Sequence, residues 1–583
     1  MRCEGYYVKL IVVSGGVMSG VGKGTSVAAI GRILQEYGFS VTAIKIDPYI
    51  NYDAGTLRPT EHGEVWVTDD GGEIDQDLGN YERFLDIDIP KRNNITTGQV
   101  YKEVIDRERR GEFLGQTVQF IPHIPDEIKR RIREAGKNFD FVLIEIGGTI
   151  GDYENIPFLF AMKSLEVELG KENVVHILVT YLPVPSNIGE MKTKPTQQAI
   201  RMLNEMGIFP DFVLCRAAKP LDTVRKKKIE IYANIDSEHI ISAPDVKTIY
   251  RVPLNFEAGQ LGRKILAKVN LKPRKSPGWE KYEALVSRIE TPSRTVKVAM
   301  VGKYVDSGDY SLVDSYISLN QALEHATAVL DIGVSIDWID AKLLETKANL
   351  SRLEGYDGII VPGGFGASGV EGKIAAIQYA REHNVPFLGL CYGMQLAVVE
   401  YARNVCGMDG AHTTEVNAET RFPVIDILTL QREILSKHVI GASMRLGAYS
   451  AILGASRVLD LYKRTGRLEK DSTRIERIRG MPDQLFRLGT IDRVAAVVLE
   501  RHRHRYEVNP DFVGTLVKNG MTFPGFHVRD DGTRLMEFIE LPDHRFFVGT
   551  QAHPEFKSRL SDPAPLYYGF VEACARSGIR GFK

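Results

Sequence analysis

GGVMSGVGKGTS, residues 15–26, is the stretch whose reading decides the first half of this chain. The apolar run KLIVV (9–13) precedes it, and a helix-periodic stretch closing at Gly38 follows, so the context is strand, glycine-rich turn, helix. Backbone N–H groups of such a turn converge on phosphate oxygens, and the helix N-terminus behind them adds its dipole. In the usual phosphate loop a Gly stands five residues before the Gly-Lys pair and a Ser or Thr directly follows it. Here Val17 holds the first place and Gly24 the last, with Thr25 one step late. Five glycines (15, 16, 20, 22 and 24) around Lys23 still read as a nucleotide loop, with Lys23 as the point charge on the outer phosphates.

At 583 residues the chain needs two or more cores. Its net charge of −1 gives no support to a nucleic-acid or membrane-surface role. No apolar run approaches the roughly 18 residues of a membrane span, and the start reads as no secretory signal, so a cytoplasmic location is expected. Cys3, Cys215, Cys391, Cys406 and Cys574 are scattered, without the spacing of a disulfide framework or zinc site.

From 8 to about 265, Val/Ile/Leu-rich runs (KLIVVSGG, VTAIKIDPYI, TVQFIPHI, DFVLIEIGG, VVHILVTYL, DFVLCRAA) alternate with helical patterns near 99–111, 126–136 and 195–206. That alternation predicts a parallel sheet covered on both faces, with ligands at the strand ends. The Pro- and Lys/Arg-rich segment 271–295 reads as a linker holding one short helix. After it the alternation restarts. The expected organisation is α/β with two doubly wound, largely parallel domains, 1–270 and 296–583.

Glu145 ends the buried strand DFVLIEIGG, where an unpaired carboxylate is costly unless a cation meets it. The run TDDGGEIDQDLGNYERF (68–84) sets Asp69, Asp70, Glu73, Asp75, Asp77 and Glu82 around glycines, hard donors suited to Mg²⁺ shared with phosphates. Lys192 and Lys194 in GEMKTKPTQQ lie before a Pro-started helix, which suits a second polyanion. The run 225–228 (RKKK) reads by charge alone as a solvated helix face.

FLGLCYGMQ (387–395) has the form strand, G-x-C-x-G, helix, a nucleophile elbow with Cys391 at its tip. A helix N-terminus beside a thiol favours the thiolate and leaves an N–H for an oxyanion. VPGGFG offers Gly363 and Gly364 as a second donor strand end. Far downstream, HPE (553–555) places His553 after an apolar strand, with Glu555 to orient it. This is the Cys-His-acid logic of acyl transfer.

G-x-C-x-G with a later His-Pro-Glu is the pattern of class I glutamine amidotransferases. GGVMSGVGKGTS, KIDPYIN, EHGEV, DLGNYERF, KTKPTQ and GMQ together resemble the CTP synthase family over nearly the whole chain. That family carries the same altered loop, with Gly after the Lys. The resemblance implies an N-terminal P-loop-like synthetase and a C-terminal glutaminase: ATP phosphorylates the uracil 4-oxygen of UTP, and ammonia from glutamine displaces the phosphate. It implies ATP contacts from Ser19, Gly20, Gly22, Lys23, Gly24, Thr25, Lys45, Arg216, Asp245 and Val246, and Mg²⁺ on Asp77 and Glu145. UTP or CTP would meet Ser19, His123, Asp152, Glu154, Lys192, Lys194, Gln197 and Lys228. In the second domain it implies Cys391, His553 and Glu555 as catalytic groups, Gly364 and the Tyr392 amide as oxyanion donors, and Gln395, Glu415 and Arg505 on glutamine. Arg505 sits in RHRHRYEVN, which by charge alone reads as a solvated strand. Activation by GTP, inhibition by CTP, a homotetramer and filaments are implied as well, with neither nucleic acid nor membrane as partner.

Tyr392 stands where Leu is expected in many relatives, and the first half of the loop 425–445, the expected GTP-responsive lid, departs from the bacterial pattern. The insertion near 466–484 has no assigned role. Two rivals remain open at this level: a P-loop synthetase amidating a carboxylate, and a nucleotide-switched scaffold with a vestigial glutaminase.

Overall fold

The computed structural model describes all residues except 1, 4–5, 58–62, 188, 303–305, 308–309, 312–315, 428–443, 492–494 and 578–583. By its internal contacts the chain forms two units: Met1–Leu57 with Glu73–Val286, and Arg58–Gly72 with Ser287–Lys583. The described residues 63–72 thus belong by their contacts to the second unit, although they lie within the first 270. The departing first half of the expected GTP-responsive lid falls mostly outside the described residues.

The first unit is built on seven strands: β1 (Lys9–Gly15), β2 (Val41–Asp47), β3 (Asn94–Thr96), β4 (Phe141–Ile146), β5 (Val174–Tyr181), β6 (Phe212–Ala217) and β7 (Ile240–Pro244). Their spatial order is β7-β6-β5-β1-β4-β2-β3, and every pair is parallel. Successive strand residues face opposite sides. Both sides are buried here: Leu10 and Val12 join one apolar cluster, while Ile11 and Val13 are equally inaccessible. The helices that matter for the site are α1 (Lys23–Glu36), α2 (Asp77–Leu85), α3 (Phe120–Ala135), α4 (Lys194–Glu205) and α5 (Thr223–Ala233). The linker helix is present as α6 (Glu280–Glu290).

One expected strand is absent. QFIPHI lies at the start of α3, with Pro122 and Pro125 in its first turns. Proline has no N–H for a sheet ladder but is tolerated where a helix begins and its amides lack partners.

The second unit holds nine strands in its main sheet: β8 (Arg294–Gly302), β9 (Ile332–Asp340), β10 (Gly358–Val361), β11 (Phe387–Leu390), β12 (Arg445–Leu453), β13 (Ala496–His504), β14 (Thr522–Val528), β15 (Arg534–Glu540) and β16 (Phe547–Thr550). The spatial order is β9-β8-β10-β11-β16-β15-β14-β12-β13. From β9 to β16 the pairs are parallel; from β16 onward they are antiparallel. Period-2 alternation sends Ala299, Val301 and Phe387 to one apolar cluster and Val298, Met300 and Leu388 to the other, so this sheet too is covered twice. Helices α7 (Val370–Glu382) and α8 (Tyr392–Asn404) flank the parallel half, and α9 (Arg467–Arg479) occupies the unassigned insertion.

Candidate active sites

β11 runs directly into α8, and Cys391 is the joint. Its backbone is forced to φ +48°, ψ −103°, a region that costs a non-glycine residue of order 1–3 kcal/mol. The surroundings hold it there: the Cys391 N–H donates to the Thr550 carbonyl of β16 at 2.7 Å. Gly393 is needed for the same turn, because a Cβ there would overlap the Val361 carbonyl, whose carbon would stand 2.9 Å away.

His553 follows β16 by three residues. Its Nδ1 lies 2.7 Å from Glu555 Oε1, and Tyr567 donates its hydroxyl to Glu555 Oε2 at 3.3 Å. The Cys391 sulfur lies near enough to His553 to favour its charged form. Gly363 walls the pair: a Cβ on it would stand 2.9 Å from His553 Cε1 and 3.7 Å from Cys391 Cβ. Burial opposes a charged imidazole, but the Glu555 carboxylate and the Cys391 sulfur outweigh it and raise His553 to about 10. The structure therefore brings Cys391, His553 and Glu555 together, with His553 able to hold a proton at neutral pH.

Around it, Tyr392 opens α8, where backbone N–H groups have no partner within the helix. Gly364 approaches it: a Cβ on Gly364 would lie 3.9 Å from Tyr392 Cδ1 and 3.4 Å from Lys373 Nζ. Lys373, buried and 5.4 Å from the centre of the Tyr392 ring, is a cation that sequence reasoning missed. Gln395 donates to the Tyr506 carbonyl at 2.9 Å and to Gln551 Oε1 at 3.1 Å, and Gln551 in turn reaches Cys391 Sγ at 3.7 Å. Glu415 accepts from the Gly366 N–H at 2.7 Å. Arg505 is half-buried. Gln551 and Tyr567 carried no motif signal; only the fold brings them in.

In the first unit the loop between β1 and α1 holds Gly22 at φ +89° and Val17 at φ +82°. Lys23 folds back over the loop, donating to the Gly148 carbonyl at 2.7 Å, and burial chiefly lowers its pKa. Lys45 on β2 pairs with Asp77 and with Glu145 Oε1 at 2.8 Å, and Tyr81 donates to the other Glu145 oxygen. The buried Glu145 thus finds its cation in Lys45. Glu145 is raised to about 7 by burial and then by Asp77, and Asp47 to about 8 by burial and then by Asp75.

This cluster explains the altered loop. A Cβ on Gly24 would come within 2.6 Å of Asp77 Cγ and closer still to its carboxylate oxygen. Asp77 occupies the space that a Ser or Thr after the lysine would fill. Among the described residues no group of three or more His, Cys, Asp or Glu has metal-holding geometry. Of the acidic run 68–84, Asp75 and Asp77 face Lys45. The expectation that the whole run serves one metal loop is corrected: Asp69 pairs with Arg501 in the second unit, Asp70 accepts from Thr68, and Glu82 accepts from the Ile89 N–H.

Residues 9–271 match the family described as CTP synthase N-terminus, and residues 311–573 match glutamine amidotransferase class-I. A CTP synthase of Pyrococcus abyssi is 48% identical over 97% of this chain and 97% of its own. One of Methanocaldococcus jannaschii is 46% identical over 98% of this chain and 99% of its own. The chain belongs to the CTP synthase family. A solved structure described as the Trypanosoma brucei CTPS glutaminase domain with bound acivicin is 35% identical, covering 48% of this chain and 94% of that one, with a TM-score of 0.40.

The remaining residues expected for a CTP synthase fall into groups. Arg216 bonds Asp245 at 2.9 Å, and Arg216 lines a pocket with Gly22, Thr25, Ala243, Pro244 and Phe256. Val246 follows Asp245 directly, while Ser19 and Gly20 are exposed at the loop tip. Asp152 accepts from the Thr149 N–H at 2.7 Å and Oγ1 at 2.8 Å, closing the turn after β4, with Glu154 exposed beside it. Lys192 pairs with Glu190 at 3.0 Å, and Gln197 caps back on Thr193. Lys194 lies over the Tyr232 ring at 6.0 Å, and Lys228 is exposed on α5, the helix of the run 225–228. The contacts of His123 are local, to Gln119 at 3.0 Å and edge-on to Phe113. The solvated-strand reading of RHRHR is corrected: Arg501, His502 and His504 are buried.

Proposed function

We propose that this protein is a glutamine-hydrolysing CTP synthase, aminating UTP to CTP with ATP and with ammonia taken from glutamine. The observation that carries the reading is the pairing, in one chain, of an assembled Cys391-His553-Glu555 triad with a phosphate loop whose Gly24 yields its place to Asp77. Synthetase chemistry is assigned to residues 1–270 and glutaminase chemistry to 296–583, with 271–295 as linker.

In the glutaminase, His553 takes the thiol proton and Cys391 sulfur attacks the glutamine carboxamide carbon. Gly364 and the Tyr392 amide steady the oxyanion, with the buried Lys373 adding positive potential nearby. The proton held on His553 passes to the leaving nitrogen, releasing ammonia and a thioester that water hydrolyses to glutamate. Gln395, Glu415 and Arg505 hold the amino-acid end.

In the synthetase, Ser19, Gly20, Gly22, Lys23, Gly24, Thr25 and Lys45 cradle the ATP phosphates, and Arg216, Asp245 and Val246 receive the adenosine. His123, Asp152, Glu154, Lys192, Lys194, Gln197 and Lys228 serve the pyrimidine nucleotide, as does Ser19. Asp77 and Glu145 are hard oxygen donors already gathered on one cation, a set that fits Mg²⁺; when bound, the ion would neutralise phosphate charge. GTP activation, a homotetramer, filaments and a cytoplasmic location complete the reading. Among the described residues no helix is long and apolar enough to cross a membrane.

The test is conversion of UTP to CTP, followed by absorbance, with ATP, Mg²⁺ and glutamine. Amidation of a carboxylate substrate without UTP turnover would replace this reading with the first rival.

A further inference from the structure

Residues 63–72 come from the first half of the sequence, yet their partners lie around the triad of the second unit. Trp66 is fully buried and its ring meets Phe556 at 4.9 Å. Phe556 also meets His553, stacked at 5.3 Å and 22°. The Arg501 guanidinium sits 5.4 Å from the Trp66 centroid. Imidazole, Phe556, Trp66 and guanidinium are thus linked by successive ring contacts, one stacked and one tilted, with the candidate base at one end.

At the other end is Asp69. Its Oδ1 accepts from Arg501 Nε at 2.5 Å, and Arg501 side-chain exposure is 0%. The same arginine fixes the base through its main chain, because the His553 N–H donates to the Arg501 carbonyl at 2.8 Å. Arg501 Nη1 also reaches the Phe556 carbonyl at 3.4 Å. The segment is anchored twice more: the Ala448 N–H donates to the Asp69 carbonyl at 3.0 Å, and Glu64 accepts from the Ser318 N–H at 2.9 Å.

The insertion helix α9 supports the same place from behind. Arg467 donates to the Lys557 carbonyl at 2.7 Å, and Asp471 accepts from the Leu499 N–H at 3.0 Å and lies 3.6 Å from Lys557 Nζ. Against the effect of its partial burial, Arg501, with Lys557 and Arg474, holds the half-buried Asp69 carboxyl well below its usual range.

We propose that Asp69 is a positioning residue for glutamine hydrolysis: carried into the second unit by segment 63–72, it clamps Arg501 and thereby sets His553 against Cys391. Without that clamp a fully buried guanidinium loses its close carboxylate, and the main chain that seats His553 is free to shift. The inference rests on the glutaminase role proposed above.

The experiment measures glutamate release from glutamine by the full chain carrying Asp69→Asn, alongside alkylation of Cys391 by iodoacetamide at neutral pH with the Cys391→Ala protein as blank. The expected result is a fall in kcat of about tenfold or more with KM within about twofold, since a small displacement of a base acts on the chemical step. Cys391 alkylation slows in parallel, ammonia-dependent CTP formation is kept, and Asp69→Glu, which retains the charge, recovers most of the lost kcat. Unchanged kcat and alkylation, a loss confined to KM, or equal loss of hydrolysis and ammonia-dependent synthesis, as from general unfolding, would each overturn the proposal. If the parent protein releases no glutamate at all, the glutaminase reading itself fails, while alkylation still reports whether Asp69 acts on Cys391.

Discussion

Replacing Gly24 by alanine adds one methyl group at a site with no room for it. The new Cβ would stand within 2.6 Å of Asp77 Cγ, whereas ordinary contacts begin about one ångström farther out. Asp77 is not free to swing away, because Lys45 holds it and it opens helix α2. Overpacking of this kind costs about 1–3 kcal/mol, and loosening the part-buried Lys45–Asp77 pair adds to it. Alanine in a helix returns about 0.5–1 kcal/mol relative to glycine. The net expectation is a local loss of about 1–2 kcal/mol, which at about 1.4 kcal/mol per tenfold is a 5- to 30-fold loss of amide protection in α1. Hydrogen–deuterium exchange read on α1 peptides measures it, and ATP affinity should fall in the same variant. The decisive comparison is the Asp77→Ala background, where the obstructing carboxylate is gone. There Gly24→Ala should be neutral or slightly stabilising, the non-additivity expected of residues in contact. An equal cost of Gly24→Ala in both backgrounds would refute the steric account of the altered loop.

Lys23→Ala should abolish CTP formation from either nitrogen source while glutamine hydrolysis persists, at a cost of several kcal/mol in the synthetase transition state; steady-state rates with ammonia and glutamine decide it. Tyr567→Phe removes one hydrogen bond to Glu555, and a loss of about 1 kcal/mol, several-fold in glutaminase kcat, is expected. His527 is lowered to about 3 by burial and then by Arg445, so its contribution is intact above its unfolded pKa near 6.5 and is lost as pH falls toward 3. The nearby Glu507, raised to about 7 chiefly by burial, works in the opposite direction, so the test is differential. Unfolding of His527→Gln followed between these pH values should show a slope smaller than the parent's by about 1.4 kcal/mol per pH unit, the value of one proton. An unchanged slope would count against a buried neutral His527.

The parts of this molecule legible in its sequence are those with local causes. Strand, glycine turn and helix at 9–36, and the elbow at 387–395, announce themselves because the backbone geometry needs those residue types in that order. QFIPHI was open to misreading because a short apolar run has no period of its own, and its two prolines only become decisive once they fall in the first turns of α3. RHRHR reads as solvated because its compensating carboxylate, Asp69, is 432 positions away. Likewise nothing local separates Asp69 from Asp75 and Asp77, although a few residues of chain send them to different units. Tyr567, Gln551 and Lys373 enter the glutaminase site through tertiary packing alone. Gly24 was visible as an anomaly, but its reason lies in the side chain of Asp77.

The central claim is that a sulfur nucleophile in the second unit does nothing but supply ammonia to nucleotide chemistry in the first. The most direct measurement is the rate of CTP formation by Cys391→Ala with ATP and UTP, once with glutamine and once with ammonium chloride. The expected result is no synthesis from glutamine and near-parental synthesis from ammonia. Loss of both, or retention of glutamine-dependent synthesis, would contradict it.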